Sequence, residues 1–284
     1  MIKARLKDAA LIEEVDSLVE DTTNFHVWWL GQSGYLLTFY GERILLDPYL
    51  SDSLTIKYAS TNKPHVRMSE RVIDPELLHD VSVVTSSHNH TDHLDALTLQ
   101  PIIRNNPAVR LVIPEANRQF VCDRVQCDIK FPIGLDAGIS TRISHFTFIG
   151  VPAKHNEIEK DDAGRHKFMG FIIRFGKWTL YHSGDTLWYD SMVETLKPFN
   201  IDLAFLPING NDPARGVAGN LDAKEAADLG RAIGAKMVIP HHYDMFFFNT
   251  ADPATFATSA ESAGQPYYIL EPGAHFSSAS IPQA

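Results

Sequence analysis

Hydrophobic and polar positions change rhythm several times along the chain. Leu11, Val15, Leu18 and Val19 recur at helical spacing, which predicts an amphipathic helix within residues 1–20. The stretch HVWWLGQSGYLLTFYGERILLDPYL then predicts strand, strand, turn and strand. Tyr40-Gly41-Glu42 is the turn signal and Asp47-Pro48 the stop. Residues 51–75 show no clear period and contain Pro64 and Pro75, so they read as an irregular surface excursion. From Val81 onward strands and helices alternate. VSVVTSS, VRLVIP, WTLYHS, DLAFLPI and MVIP read as strands. DALTLQPIIRN, EANRQFVCDRV, SMVETLKPF and DAKEAADLGRAIG read as helices, and the alternation predicts α/β layering. Residues 139–151 and 168–183 read as paired strands around a polar loop. Asp222 with Glu225 forms a capping-box start, and Gly234 stands where a helix-ending glycine belongs. No linker and no repeat divides the chain, so residues 1–284 predict a single domain of two half-domains.

Composition narrows the class. With 44% hydrophobic and 21% charged residues the chain can bury a core, which excludes disorder as its main state. A formal net charge of −10 argues against general nucleic-acid binding and against electrostatic docking on an anionic membrane. Lys3, Arg5, Lys7, Glu13 and Glu14 interrupt any apolar run at the start, so no signal peptide is expected. No stretch approaches the ~20 apolar residues of a membrane span. A cytoplasmic protein is the expectation. Cys122 and Cys127 have no second pair, which leaves them as inert thiols on a helix rather than a zinc knuckle.

The chemistry concentrates in His88-Asn89-His90-Thr91-Asp92-His93, directly after a buried strand. In extended backbone, residues i and i+2 point the same way, so His88 and His90 can share one metal. Asp92 and His93 follow as the chain turns and can face a neighbouring one. Nitrogen and carboxylate donors suit zinc, manganese or iron. One cluster cannot close two sites. His155, Asp185, His241 and His242 each stand where an apolar strand leaves the core, which is where α/β proteins gather functional groups. Singly, each of these histidines reads more often as a packing or capping residue, and Asp185 could be a turn or cap residue. Together with the cluster they read as partners.

The order and spacing of these residues resemble the metallo-β-lactamase superfamily. Within it the chain is most similar to L-ascorbate-6-phosphate lactonase and its relatives, through WWLGQSGYLL, SSHNHTDHLD, LYHSGDTLWY, NGNDPARG, MVIPHHYD and EPGAHF. The resemblance covers residues 26–276 and implies a four-layered αββα sandwich. The lactonase itself is a longer chain and lacks the Val-Pro-Ala-Lys-His155 form seen here. Carried over position by position, His88, His90 and His155 match the ligands of a first metal. Asp92, His93 and a final histidine match those of a second, and Asp185 matches the carboxylate that bridges both. The family's Pro-x-His pattern selects His242 over His241. Asp47 matches the early family aspartate, which supports the site by hydrogen bonding from behind the ligands.

The resemblance implies two divalent ions, zinc first with manganese or iron as alternatives, sharing a hydroxide that attacks a lactone or related ester. Asp92 is expected to carry the proton to the leaving group. Ser33 in Gly-Gln-Ser-Gly lacks the spacing of a nucleophile elbow and reads as a turn residue. Arg215 and Lys154 are candidates for binding an anionic small-molecule substrate. Arg165 and His166 read as surface charges. Trp28 and Trp29 read as core aromatics, and Phe246, Phe247 and Phe248 as a pocket wall or a homo-oligomer contact. His26, His65, His79, His145, His182 and His275 have no place in the ligand pattern and read as structural. Competing readings are a phosphodiesterase of the same fold, with Asp95 completing H-x-H-x-D-H-x-D, an iron-dependent redox enzyme, and a binding module without catalysis.

Overall fold

The computed structural model describes residues 1–212 and 219–282. Its first sheet is built from β1 (His26–Gly31), β2 (Gly34–Phe39), β3 (Glu42–Leu46), β4 (Val81–Thr85), β5 (Arg110–Pro114), β6 (Ile133–Leu135) and β13 (His275–Ser277). Their order across the sheet is β13-β1-β2-β3-β4-β5-β6. The second sheet holds β7 (Ser140–Ile143), β8 (Phe146–Pro152), β9 (Met169–Phe175), β10 (Trp178–His182), β11 (Leu203–Pro207) and β12 (Met237–His241), in the order β12-β11-β10-β9-β8-β7.

The strands are apolar on both faces because both faces are covered. Val27, Trp29, Tyr35, Leu37, Ile44, Leu46 and Val83 point inward, into a core shared with Phe146, Phe148 and Phe171 of the second sheet. Their neighbours Trp28, Leu30, Leu36, Leu45 and Val84 point outward, because successive side chains of a strand alternate faces. There they meet Leu11 and Val15 of α1 (Ala9–Leu18), Leu99 and Ile102 of α3 (Ala96–Asn105), and Val121 and Val125 of α4 (Arg118–Val125). On the far side α6 (Ala223–Ile233) packs on β11 and β12, flanked by α5 (Met192–Leu196) and α7 (Pro253–Ala263). The layers are therefore helix, sheet, sheet, helix, and the expected αββα sandwich is what the chain forms.

Local signals act where the sequence places them. The Asp222 side chain accepts from Glu225 N at 2.8 Å and the Glu225 side chain accepts from Asp222 N at 3.0 Å, closing the capping box of α6. Gly234 ends that helix in the left-handed conformation. Both cysteines are free, and burial together with the neighbouring Cys122 thiol pushes Cys127 up to about 12. No helix among the described residues is long and apolar enough to cross a membrane.

Besides the short strands β6 and β13, three elements differ from expectation. The first helix begins only at Ala9. Residues 51–75 contain a short helix, α2 (Ser53–Tyr58), whose single buried residue is Leu54. The helix α7 buries only Phe256 and Ala260, too little for a readable apolar stripe.

What positions the site is strand direction. β3, β4 and β5 run parallel, and β1 runs with them because both β1 and β3 are antiparallel to β2. In the second sheet β10, β11 and β12 run parallel, and β8 shares their direction through two antiparallel steps. The C-terminal ends of β3 and β4 thus share one rim of the first sheet, and those of β8, β10 and β12 one rim of the second. Hydrogen bonds tie the two rims. His182 Nε2 lies 2.9 Å from the Ser33 carbonyl, His242 N donates to the Gln32 carbonyl at 3.2 Å, and Tyr35 Oη donates to the Pro240 carbonyl at 3.2 Å.

Candidate metal centre

At these rims the chain leaves buried strands with polar residues. β4 runs into the loop carrying His88, His90, Asp92 and His93. Ser86 Oγ donates to the His88 carbonyl, and the amides of His93 and Leu94 both return to the His90 carbonyl. Arg124 of α4 clamps this loop from outside, its Nη1 donating to the Asn89 carbonyl at 2.7 Å and the Leu94 carbonyl at 3.3 Å. β8 delivers His155, β10 delivers Asp185 and β12 delivers His242. The loop of Asp185 approaches that of His88 so closely that a Cβ on Gly184, at φ 58°, would lie 2.6 Å from the Ser87 side chain.

Asp185 is the hub. Its Oδ1 lies 2.7 Å from His242 Nε2 and 3.2 Å from His93 Nε2, and its Oδ2 lies 3.9 Å from His88 Nε2 and 4.0 Å from His155 Nδ1. Three groups have donor atoms within 4.8 Å of one another: His90, His155 and Asp185; Asp92, His93 and His242; and His88, His93 and Asp185. All seven sequence candidates for metal ligation therefore come together. Of the two adjacent histidines, His242 reaches the cluster while His241 stacks on His182, ring centroids 5.6 Å apart.

The donors suit a divalent cation. His88 Nε2 is buried and has no hydrogen-bond partner among the described residues. His93 Nε2 and His242 Nε2 face each other at 3.4 Å beside a carboxylate, an arrangement that two nitrogen donors to one cation would also adopt. Burial, with repulsion from His93 and His90, pushes His88 well below the usual histidine range, which leaves it neutral and able to donate a lone pair. Burial opposes a charge on Asp185, but His242 and His93 outweigh it and hold the carboxyl well below its ordinary range. Burial likewise opposes a charge on His93, yet Asp185 and Asp92 raise it well above the ordinary value.

Behind the donors stands a second set of contacts. Asp47 is fully buried and accepts from Thr85 Oγ1 at 2.7 Å and from Ser87 N at 3.1 Å, while its Oδ2 lies 2.8 Å from His93 Nδ1. That contact turns His93 Nε2 toward Asp185. Ser87 Oγ does the same for His88, 3.0 Å from Nδ1. Gln32 reaches Asp92 Oδ2 at 2.8 Å and His242 Nδ1 at 3.1 Å through its Nε2. Ser33 is in the turn between β1 and β2, and its hydroxyl also lies 3.0 Å from His93 Nδ1. Sequence reading passed over Gln32, Ser87 and Arg124. A signal for Gln32 existed in the polar Gln-Ser turn between two largely apolar strands, at the rim where Asp47 emerges.

His155 depends on a glycine. Its Nδ1 lies 3.2 Å from the Gly219 carbonyl, and a Cβ on Gly219, at φ 87°, would lie 2.0 Å from that nitrogen. Gly219→Ala is expected to displace the ring and lower kcat/KM about 100-fold, as misplacement of a positioned group by about 1 Å does. The far-UV spectrum should remain that of the parent. Unchanged kinetics in a folded Gly219→Ala would show that the His155 position does not matter.

The cluster forms the floor of a cavity of about 490 Å3. Its walls include Lys57 and Tyr58 of α2, Lys63, His65, Arg124, Asn220, Phe246 and Phe248. His65, expected to be structural, belongs to this wall, and Phe246 and Phe248 do wall a pocket. Phe247 is exposed. Lys154 lines a different groove with Asn156, Trp188 and Tyr189, since the chain turns its neighbour His155 toward the site. Arg215 lies outside the described residues. Asp95 precedes α3 and accepts from Thr98 Oγ1 at 2.6 Å. Trp28 and Trp29 are wholly buried.

Residues 42–243 match the family model for the beta-lactamase superfamily domain. A metal-dependent hydrolase of Methanoregula boonei is 29% identical over 253 residues, covering 87% of this chain and 96% of that one. A metallo hydrolase of known structure from Ignicoccus hospitalis superposes with a TM-score of 0.65 at 23% identity, covering 90% of this chain and 98% of that one. The structure of isothiocyanate hydrolase from Delia radicum gut bacteria superposes with a TM-score of 0.69 at 17% identity, covering 88% and 98%.

Proposed function

The chain belongs to the beta-lactamase superfamily, and on that premise we propose that it is a metal-dependent hydrolase acting on a lactone or related ester, in the manner of L-ascorbate-6-phosphate lactonase. The observation that carries the reading is the convergence of four histidines and an aspartate on Asp185, joined by His155, at the floor of one cavity. His88, His90 and His155 would hold one ion, Asp92, His93 and His242 the other, and Asp185 both. When bound, such ions supply Lewis acidity toward a carbonyl oxygen and lower the pKa of water to about 7.

The chain's own residues do the rest. Asp185 bears on the spacing between the two halves of the donor set, since its carboxylate approaches histidines of both groups. Asp92 is held by Gln32 on one oxygen and faces the cavity, so it is placed to pass a proton to a departing alkoxide. Asp47 and Ser87 keep His93 and His88 aimed at the centre. Phe246 and Phe248 give the cavity an apolar side on which the unreactive part of a substrate can lie.

The test is a hydrolysis panel of lactones, carboxylic esters and phosphodiesters, with elemental analysis of untagged protein before and after chelation. Two equivalents of zinc or manganese are expected, with ester or lactone turnover lost on chelation and restored by either ion. Turnover confined to phosphodiesters would move the enzyme to that branch of the fold. Iron alone, with no hydrolysis of any class, would overturn the reading in favour of redox chemistry.

A further inference from the structure

One neutral side chain reaches two of the metal donors at once. Gln32 is wholly buried in the turn between β1 and β2 and does not line the cavity, so it meets no substrate. Its Nε2 lies 2.8 Å from Asp92 Oδ2 and 3.1 Å from His242 Nδ1. Its Oε1 is buried with no hydrogen-bond partner among the described residues. The amide thus uses its nitrogen twice and its oxygen not at all, although it can donate at one and accept at the other. The residue is also held firmly. Its carbonyl accepts from Trp29 Nε1 at 3.0 Å and from His242 N at 3.2 Å. Gln32 and His242 both have left-handed backbone, at φ 52° and 65°, a conformation uncommon outside glycine that persists where the surroundings impose it.

The proton on His242 gives the idle oxygen a task. His242 Nε2 lies 2.7 Å from Asp185 Oδ1, so as a hydrogen bond this nitrogen donates, and Nδ1 accepts from Gln32. Ligation through Nε2 demands the other neutral tautomer, in which Nε2 offers a lone pair and Nδ1 carries the proton. An Nδ1–H cannot face an amide N–H. It needs an acceptor, and Gln32 is the one hydrogen-bond partner of Nδ1 among the described residues. We infer that Gln32 is a positioning residue for the ion held by Asp92, His93 and His242: its amide turns so that Oε1 accepts from His242 Nδ1–H while Nε2 goes on donating to Asp92. One side chain then aims a nitrogen ligand and a carboxylate ligand together, and its buried oxygen is satisfied. No group changes charge, because the imidazole exchanges one neutral tautomer for the other through solvent at the cavity it lines. Glutamate in this place would accept from His242 but repel Asp92, and methionine would fill the volume and bond to neither. Gln32 forms no hydrogen bond with His88, His90 or His155, so its effect is confined to one of the two ions. This role deepens the hydrolase reading and rests on its two-ion assignment, but it is read from metal binding and spectra rather than turnover.

The experiment loads the full chain with zinc. Competition with a chelator measures the affinity of each ion, and long-range proton–nitrogen NMR on histidine-labelled protein locates the ring protons. Loading is expected to move the His242 proton from Nε2 to Nδ1 and to give it a downfield resonance, the mark of a bond to an acceptor. In Gln32→Met that resonance should move upfield, and one ion should be held about 10- to 100-fold more weakly while the other keeps its parental affinity. In Gln32→Glu the resonance should move further downfield, since a charged acceptor makes the stronger hydrogen bond. Gln119→Met, on the exposed face of α4, should change neither reading. Parental affinity for both ions in Gln32→Met would overturn the inference. So would a His242 resonance that is the same in all three proteins, or a loaded parent whose His242 keeps its proton on Nε2. Should Gln32→Met fail to fold, the parent spectrum and Gln32→Glu still decide. Ester turnover by a Gln32→Met protein that holds both ions as the parent does sinks this inference alone. A Gln32-dependent ion in a protein that hydrolyses no ester sinks the hydrolase reading alone.

Discussion

Asp185→Ala is expected to lower kcat/KM by about 1000-fold or more and to reduce bound metal from two equivalents to one or none. The magnitude follows from what a metal contributes to transition-state stabilisation, several kcal/mol, at about 1.4 kcal/mol per factor of ten. The location follows from geometry. His242, His93, His88 and His155 all approach this one carboxylate, and among the described residues no other acidic side chain shares donor groups with both His155 and His242. Removing the carboxylate also leaves His93 without the larger of the two charges that favour its protonated form, so its pKa should fall toward the ordinary range. Asp185→Asn separates the effects, since it keeps the volume and removes the charge. Elemental analysis and a far-UV spectrum on both variants check the expectation. Two equivalents of metal with parental turnover in a folded Asp185→Ala would refute the role of the hub.

Asp47→Ala is expected to weaken metal affinity about 10- to 100-fold and to cost about 3–5 kcal/mol of stability near neutral pH. Asp47 does not line the cavity. The loss comes from donors left facing empty space: Thr85 Oγ1, Ser87 N and His93 Nδ1, all buried. The pH dependence has a definite sign. Burial opposes ionisation of Asp47, but His93, His182 and Ser87 more than offset it and lower the carboxyl to about 2. A depressed folded pKa contributes stability that is present above the unfolded value near 3.8 and is lost as pH falls through about 2. That part is worth about 2 kcal/mol. The parent and Asp47→Ala should thus differ most at pH 5–7 and converge toward pH 2, in denaturant titrations of the metal-free proteins. A gap that does not narrow toward acid would show that Asp47 is not the buried anion described.

Much of this could be read from the sequence, and the rest was hidden for identifiable reasons. The β1–β2–β3 meander is legible because its three runs are mostly apolar and its turns carry Gly and Asp-Pro. The donor cluster is legible because four ligand types fall within six residues. The remaining donors required the rim to be recognised as a place, since His155, Asp185 and His242 are far apart in the chain. α2 was hidden because one buried leucine makes no stripe, and β13 because three residues make no period. The cavity wall was the least legible part. Lys57, His65, Asn220 and Phe248 come from segments that share no motif and meet only once both sheets are packed. Lys154 illustrates the converse. Its place next to His155 in the chain suggested a shared pocket, but neighbours along extended backbone face opposite ways.

The division of the donor set between the two sheets bears on how the chain matures. The first sheet and its histidine-bearing loop are nearly complete before β8 is synthesised, so a nascent chain carries His88, His90, Asp92 and His93 well before Asp185 and His242 emerge. Such a half would offer only an open set of donors, and docking of the second sheet brings in Asp185 and His242. An ion bound by the finished centre then favours the docked state over every partly assembled one, by an amount that grows with the logarithm of its free concentration. Metal supply in the compartment of synthesis thereby becomes a factor in the yield of native protein, and scarcity would be felt first as loss of assembled chain rather than as accumulation of idle enzyme.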